Sequence, residues 1–311
     1  MATFSIEKSD ALALLATQDL DEIIAPKTDK SVVLSAFPQV RMSAGTARMP
    51  VLAALPSAGW VKASPTDPGG VKPTSKVAWE NKELIAEELA VIVPVHEDTL
   101  ADSKFDIWGQ VKPLVAAEFG RLLDLAVLFG EKKPDTWKDP ALVPGAIAAG
   151  NTVQRAAGTS LYDSINDAFA KVEEDEYDVN KAFTGRFLRS QLRGLKDTTG
   201  APIYLDSVRD DGRTSAIFGE DLHYVGNRAW KKDAAELLVG DRETVVIGIR
   251  EDVQVKLLTE ATVGDINLAE RDMVALRFKF RVAYALAFST AGAAEHKDQA
   301  FPWAVLTPAA G

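Results

Sequence analysis

Three histidines, His96, His223 and His296, are the only imidazoles in this 311-residue chain, and there is no cysteine. Acid–base or metal chemistry needs such groups aligned, yet none of the three stands in an H-E-x-x-H or His-x-His spacing. His96 precedes Glu97 and Asp98, but adjacent side chains do not share a helix face, so a polar cap on a turn is the better reading. His223 alternates with Val225 and reads as packed in a small sheet, while His296 sits in a polar segment and reads as exposed. Without cysteine there is no disulfide framework, no thiolate nucleophile and no cysteine-based zinc or iron–sulfur site. No G-x-S-x-G elbow and no G-x-x-x-x-G-K-[ST] phosphate cradle occurs.

The carboxylates are more numerous but no better arranged. Glu173, Glu174, Asp175 and Glu176 lack the alternating spacing of a calcium loop and read as a solvated helix end. Glu80, Glu83, Glu87 and Glu88 read as groups that repel one another or pair with basic partners, not as an acid–base pair. The sequence therefore names no catalytic, cofactor-binding or metal residue, and none is expected; an enzyme using Glu or Asp with a cofactor is kept as the reading from another class.

Charge is more informative than any motif. With 35 Lys plus Arg against 45 Asp plus Glu, the formal charge is -10. Such a surface repels phosphates, which argues against sequence-reading of nucleic acid. The signs are also segregated. Between Gly59 and Val77 stand Lys62, Lys72 and Lys76 against Asp67 alone, whereas Glu80 to Asp102 holds Glu80, Glu83, Glu87, Glu88, Glu97, Asp98 and Asp102 against Lys82 alone. In an oligomer, the basic stretch of one copy can reach the acidic base of the next.

A composition of 47% hydrophobic and 26% charged residues marks a folded chain of two or three domains. The start of the chain already carries Glu7, Lys8 and Asp10, unlike a secretory signal. Its longest apolar runs, 142–149 and 283–288, fall short of the roughly 20 residues of a bilayer-crossing helix, so a soluble chain without membrane partners is expected.

The elements follow from spacing and breakers. Ser9–Ile24 carries Leu12, Leu15, Leu20, Ile23 and Ile24 at helical spacing but ends at Pro26, a marginal helix better suited to lie on another surface. Residues 32–77 are punctuated by Pro38, Pro50, Pro56, Pro65, Pro68, Gly69, Gly70 and Pro73; no helix is expected there, but hairpin strands around a long turn at Pro65–Gly70. Such an excursion has too little apolar composition to bury both faces, so disorder or a protein partner must account for it. Leu89–Val95 reads as a strand, His96–Leu100 as a helical turn and Ser103 as a cap.

The clearest helix is 106–129, with Val111, Val115, Phe119, Leu122, Ala126 and Phe129 at three- and four-residue steps and Lys112, Glu118, Arg121 and Asp124 in other sectors. It would be about 35 Å long, with Pro113 kinking it or opening its second part. Helices are also expected over Ser160–Val172 and Asn180–Leu195, and strands over Pro202–Leu205, Leu222–Val225, Thr244–Ile249, Val253–Leu258 and Met273–Phe288. In the last of these, Leu276, Phe278, Phe280 and Val282 alternate with Arg277, Lys279 and Arg281. Trp303–Leu306 suggests a return to a core after the loose segment 290–299. The fold class is α+β.

In this order the segments resemble the major capsid proteins of tailed phages that share the Hong Kong 97 phage fold. The local phrases Val93–Ser103 (VPVHEDTLADS) and Ala275–Ala285 (ALRFKFRVAYA) strengthen the likeness. The resemblance implies an N-terminal arm (1–39), an extended loop laid over a neighbouring subunit (40–88), and a peripheral domain (89–144) with spine helix 106–129. It further implies an axial domain (145–242) around local five-fold or six-fold axes, and terminal strands shared between the two domains (243–311), contributing first to the axial core and then leading back to the periphery. The implied function is a virion shell protein, assembled in the bacterial cytoplasm from hexamers and pentamers of itself into an icosahedral capsid enclosing double-stranded DNA without sequence specificity. Portal protein, scaffolding or maturation factors and a decoration protein are the further partners implied; an encapsulin-like protein-cargo shell is the rival within the same ancestry. Candidate intersubunit contacts are Trp60, Lys62, Lys72, Lys76, Trp79, Glu80, Glu83, Glu87 and Glu88. Relatives that join subunits through a Lys–Asn isopeptide bond use a lysine in this loop, but no asparagine here matches the reacting partner, so no cross-link is assigned.

Overall fold

Two sheets share one helical layer, and the chain crosses between them more than once. The computed structural model describes residues 30–54, 60, 78–98, 107–155, 160–195, 207–209, 212–214, 216–264, 266–288 and 300–308. The Ser9–Ile24 helix, the Pro65–Gly70 turn, Ser103, the Pro202–Leu205 strand, Thr99 and Leu100, His296 and the segment 290–299 lie outside the described residues.

In chain order come helix α1 (Val32–Ala36), strands β1 (Gln39–Arg41), β2 (Thr46–Ala54), β3 (Ala78–Ile85) and β4 (Glu87–His96), then the long helix α2 (Ile107–Asp124), continued by a π-helical turn (Leu125–Phe129). Helix α3 (Leu142–Ala148), strand β5 (Thr152–Gln154), helix α4 (Leu161–Glu174), strand β6 (Lys181–Gly185) and helix α5 (Leu188–Arg193) follow. The remainder is strand-rich: β7 (Ser207–Arg209), β8 (Gly212–Thr214), β9 (Ala216–Ile217), β10 (Glu220–Val225), β11 (Leu237–Gly240), β12 (Val245–Leu258), β13 (Thr262–Val263), β14 (Ile266–Asn267), β15 (Met273–Leu286) and β16 (Trp303–Thr307).

The four-stranded sheet has the order β1-β12-β15-β4. Its β15 shows the expected alternation: Phe278, Phe280, Val282 and Tyr284 are buried in the main core with Phe119 and Leu123 of α2, while Arg277 is exposed on the other face. Pro94 is tolerated because β4 is an edge strand, where a missing N–H breaks no ladder on its free side. The two strands expected over 244–258 are a single strand, β12, with irregular pairing to β15 between Ile249 and Gln254. A bulge lets one strand turn without ending, which spacing alone reads as a gap.

The six-stranded sheet has the order β5-β16-β11-β6-β10-β9. One of its faces joins the main core through Phe183, Leu238, Trp303 and Val305. The other packs Leu237, Val239 and Ala304 against Ile165, Phe169 and Val172 of α4 and Leu188 and Leu192 of α5. Ser160 caps α4 as expected, its side chain accepting from the Tyr162 N–H at 3.2 Å. The terminal strands divide between the two sheets. β12 and β15 belong with β4 beside α2, and only β16 enters the six-stranded sheet.

Three further expectations are corrected. Asn180–Leu195 is not one helix: Lys181–Gly185 is a strand with every residue buried, between β10 and β11, and only Leu188–Arg193 is helical. Burial on both faces overrides helix propensity there, and Gly185 is required because a Cβ would stand 2.7 Å from both Phe187 and Trp230. A helix does form within 32–77. The β-branched start of Val32–Ala36 is a poor helix former, and it is held by tertiary contacts: Ser31 caps it, and the Val32 and Val33 N–H groups donate to the Asp124 carboxylate, each at 3.1 Å. Asp175 is not solvated. It is buried and accepts from Asn151 Nδ2 at 2.7 Å and from the Phe301 N–H at 3.1 Å, tying the end of α4 to the approach of β16.

Asp124 also leaves the polar sector in which periodicity puts it. It is fully buried where α2 passes into the π-helical turn, accepting from Ser31 Oγ and Asn227 Nδ2 at 2.5 Å each as well as from α1. Burial pushes its carboxyl above the ordinary range, opposed by the bonds from Ser31 and Asn227 and then by the two backbone donors. Gly130 ends the turn in the left-handed region, at φ 74°, which a glycine reaches without side-chain strain.

Candidate assembly interface

The β2–β3 hairpin has two unequal halves. Its ladder runs from Thr46 opposite Ile85 to Leu52 opposite Trp79, with a register shift between Leu52 and Ala54. At the base, Leu84 and Ala86 are buried with Met42, Val246, Ala283 and Ala285, so the hairpin roots on the outer face of the four-stranded sheet. Trp137 donates its indole N–H to the Ile85 carbonyl at 3.0 Å, and Lys82 stands 3.4 Å from Asp139. Lys133 donates to the Trp137 and Asp139 carbonyls at 2.7 Å, which makes the proline-rich passage after α2 a clamp on the hairpin root.

Farther out Val51 of β2 is still buried, but the two tryptophans of the excursion are exposed. Trp79 is 70% exposed and Trp60 is 97% exposed. An indole buries 150–250 Å² when it is covered, so two uncovered tryptophans on one excursion leave a large apolar area without a partner. Lys62, Lys72 and Lys76 lie outside the described residues, and Glu80 is placed in β3 opposite Val51.

The remaining acidic candidates have partners within their own chain. Glu83 lies 3.7 Å from Arg48, its cross-strand neighbour, and 3.4 Å from Lys138. Glu87 accepts from Thr136 Oγ at 2.7 Å. Glu88 stands 3.1 Å from Lys279, which also reaches Glu251 at 3.4 Å, and Arg281 lies 3.6 Å from Glu251. These are half-exposed pairs of modest strength, easily exchanged for other partners. Glu83 and Glu87 thus both meet the passage after α2, through Lys138 and Thr136, whereas Glu88 meets Lys279 of β15.

Sequence reasoning passed over Asp124. The signal was present as one acid inside the apolar run Leu122–Phe129. His223 is packed as expected, stacked on Phe183 with centroids 5.6 Å apart, and burial followed by the charge of Lys181 holds its pKa below the ordinary value. His96 closes β4 opposite Met273, and Glu97 and Asp98 begin the expected helical turn. Among the described residues no three His, Asp or Glu side chains are placed to hold a metal ion, and no helix is long and apolar enough to cross a membrane.

Known proteins give this geometry a context. A solved structure from Microbacterium phage Oxtober96 is 66% identical, covers 98% of this chain and 100% of its own, and superposes with a TM-score of 0.85. One from Mycobacterium phage Cain is 37% identical, with 99% and 100% covered and a TM-score of 0.84. The major capsid protein of Staphylococcus phage 80alpha is 28% identical over 223 residues, 69% of this chain and 65% of that protein's length. The model of the phage capsid family matches residues 13–291. With two sheets, a long helix and a rooted hairpin in the arrangement of the Hong Kong 97 phage-like capsid proteins, the chain belongs to the phage capsid family.

Proposed function

We propose that this structural capsid protein assembles with copies of itself, as hexamers and pentamers, into an icosahedral shell that encloses double-stranded DNA in the virion after assembly in the bacterial cytoplasm. The observation that carries the reading is the hairpin: its root has a private core, while Trp60 is 97% and Trp79 70% exposed. In a shell that cover is a neighbouring subunit, repeated at every equivalent contact, and the entropy of ordering the excursion is met on assembly.

In this reading residues 40–88 lie over the neighbour, and the four-stranded sheet with α2 forms the peripheral domain. The six-stranded sheet with α4 and α5 forms the axial domain around the local symmetry axes, and 1–39 form the arm. Lys62, Lys72 and Lys76 of one copy meet carboxylates of the next, with Glu80 farther out on β3 and Glu83, Glu87 and Glu88 nearer the hairpin root as the acceptors. The exchangeable pairs of Glu83 and Glu88 suit that role, since a cation from another copy can replace Lys138 or Lys279. The formal charge of -10 suits a container that holds DNA without adhering to it. A portal protein, scaffolding or maturation factors and a decoration protein complete the proposed set of partners. Relatives at 66% and 37% identity from phages favour a genome container over a protein-cargo compartment.

The test is the double variant Lys72→Glu with Lys76→Glu, followed by electron microscopy and sedimentation of the product. Particle yield should fall by about tenfold or more, the equivalent of about 1.4 kcal/mol at the contact, while the thermal midpoint of the unassembled subunit stays within about 1 °C. Equal loss of folding and assembly would refute a mainly intersubunit role for the excursion.

A further inference from the structure

The outer face of the four-stranded sheet is charged in rows, and the rows do not balance alike. β15 carries Arg281, Lys279 and Arg277 at alternate positions on this face, each with one register neighbour on β4 and one on β12. Arg281 stands between Glu88 and Glu251. Lys279 stands between Ala90 and Gln254 and reaches back to the same two carboxylates, at 3.1 Å from Glu88 and 3.4 Å from Glu251. Over these two rows the cations and carboxylates cancel. Arg277 stands instead between Ile92 and Lys256. Both cations of this third row are exposed, and among the described residues neither has an ion pair or a side-chain hydrogen bond. Like charges directly opposite each other on neighbouring strands are destabilising, so the row favours an incoming anion.

The opposite charge lies on the same end of the sheet. The connection from β12 to β15 turns back through β13, β14 and the helical turn Ala269–Arg271, and it exposes Glu260, Glu270 and Asp272 against Arg271. Glu97, whose N–H donates to the Asp272 carbonyl at 3.0 Å, adds a carboxylate there. Among the described residues Glu260, Glu270 and Asp272 have no ion pair. Arg277 lies four residues along β15 from its start at Met273, about 13 Å at the rise of a strand, so the acidic end does not close on the cationic row of its own chain. Two complementary charged patches, adjacent but unpaired within one chain, fit a second copy set head to tail.

We infer that Lys256 and Arg277 form a receptor for the carboxylates of Glu260 and Glu270 of another copy, so that sheet ends engage head to tail. Each copy gives its acidic end to one neighbour and its cationic row to a different one, the arrangement from which a ring closes. Asp272 is left to the turn, where its φ of 48° suits the sharp entry into β15. The inference rests on the shell reading for the presence of neighbours, and the two fail separately: closed particles without this contact break only the inference, and head-to-tail oligomers that never close break only the shell.

Charge exchange in the full-length chain tests it. Lys256→Glu with Arg277→Glu, and separately Glu260→Lys with Glu270→Lys, should each lower particle yield by about tenfold or more, while the thermal midpoint of the unassembled subunit stays within about 1 °C. The chain carrying all four changes has the signs exchanged and should regain a yield within about twofold of the unaltered protein. Native yield from either reversal overturns the inference. So does a fourfold variant no better than the reversals, the result expected if the cations face nucleic-acid phosphates. The absence of native cysteine allows a second readout that needs no closed particle. Chains carrying Arg277→Cys alone and Glu270→Cys alone are mixed, concentrated and oxidised. A product of twice the chain mass should form in the mixture and not from either chain by itself; no such product, or equal amounts from the separate chains, overturns the inference.

Discussion

The six-stranded sheet and the β2–β3 hairpin are both strand pairs built from ordinary apolar and charged residues, yet they solve burial in opposite ways. In the sheet, β6 has all five residues buried and finds helices on one face and the main core on the other. In the hairpin, the root near Leu84 and Ala86 shares a buried cluster with the four-stranded sheet, while Trp79 stands 70% exposed on the same strand. In the proposed reading, the difference separates structure that a single subunit can complete from structure that waits for a neighbour. An isolated two-stranded ribbon is marginal in water, and in the proposed reading the outer part of the hairpin contributes to assembly more than to the fold of one chain.

The sharpest way to break this comparison is to truncate one aromatic in each region. Phe183→Ala removes a fully buried ring that contacts Phe37, Trp303 and His223, and should cost about 3–5 kcal/mol of subunit stability, read by denaturant unfolding. Trp79→Ala should change the subunit's unfolding free energy by less than about 0.5 kcal/mol and yet lower particle yield. If the tryptophan proved as costly to folding as the phenylalanine, the hairpin would have a private core after all.

A smaller effect sharpens how the helical layer is held. Asp124→Ala leaves the Val32 and Val33 N–H groups and Asn227 without their acceptor and should cost about 2–3 kcal/mol. Hydrogen exchange should show the loss first at α1, with the amides of β6 remaining protected until global unfolding. Uniform loss across both would show that α1 and the sheet open as one unit.

The smallest effect is a pH dependence inside the six-stranded sheet. His223 is held neutral by burial and by Lys181, with Asp221 opposing, so its folded pKa lies below the ordinary value of about 6.5. The unfolded chain then binds more protons as pH falls, and the stability from this group is present above about 6.5 and lost on acidification toward the folded value. His223→Gln should flatten the decline in thermal midpoint between about pH 7 and pH 5.5; an unchanged slope would assign the decline to other groups.

Much of this was readable from residue spacing. The period of Val111, Val115 and Phe119 located α2, the alternation of Phe278 and Phe280 with Arg277 and Lys279 located β15, and the breakers between Pro38 and Pro73 located a hairpin instead of a packed element. What spacing missed was decided by partners distant in sequence. Val32–Ala36 is helical because a carboxylate more than ninety residues later meets its first N–H groups. Lys181–Gly185 is a strand because β10 and β11 flank it. Asp124 and Asp175 are buried because each finds donors on remote segments, which no local window contains. At the interface, the tryptophans and the acidic root were legible as residue types, but the pairing of Glu83 with Lys138 and of Glu88 with Lys279 was not, since those lysines arrive from other elements.

The place of β16 bears on timing during synthesis. Trp303–Thr307 lies between β5 and β11, so two strands translated much earlier stay unjoined until the ribosome has released this one. A nascent chain therefore displays its hairpin long before its six-stranded sheet can close, and the late strand acts as a clock that holds this sheet open until residues 303–307 have left the ribosome.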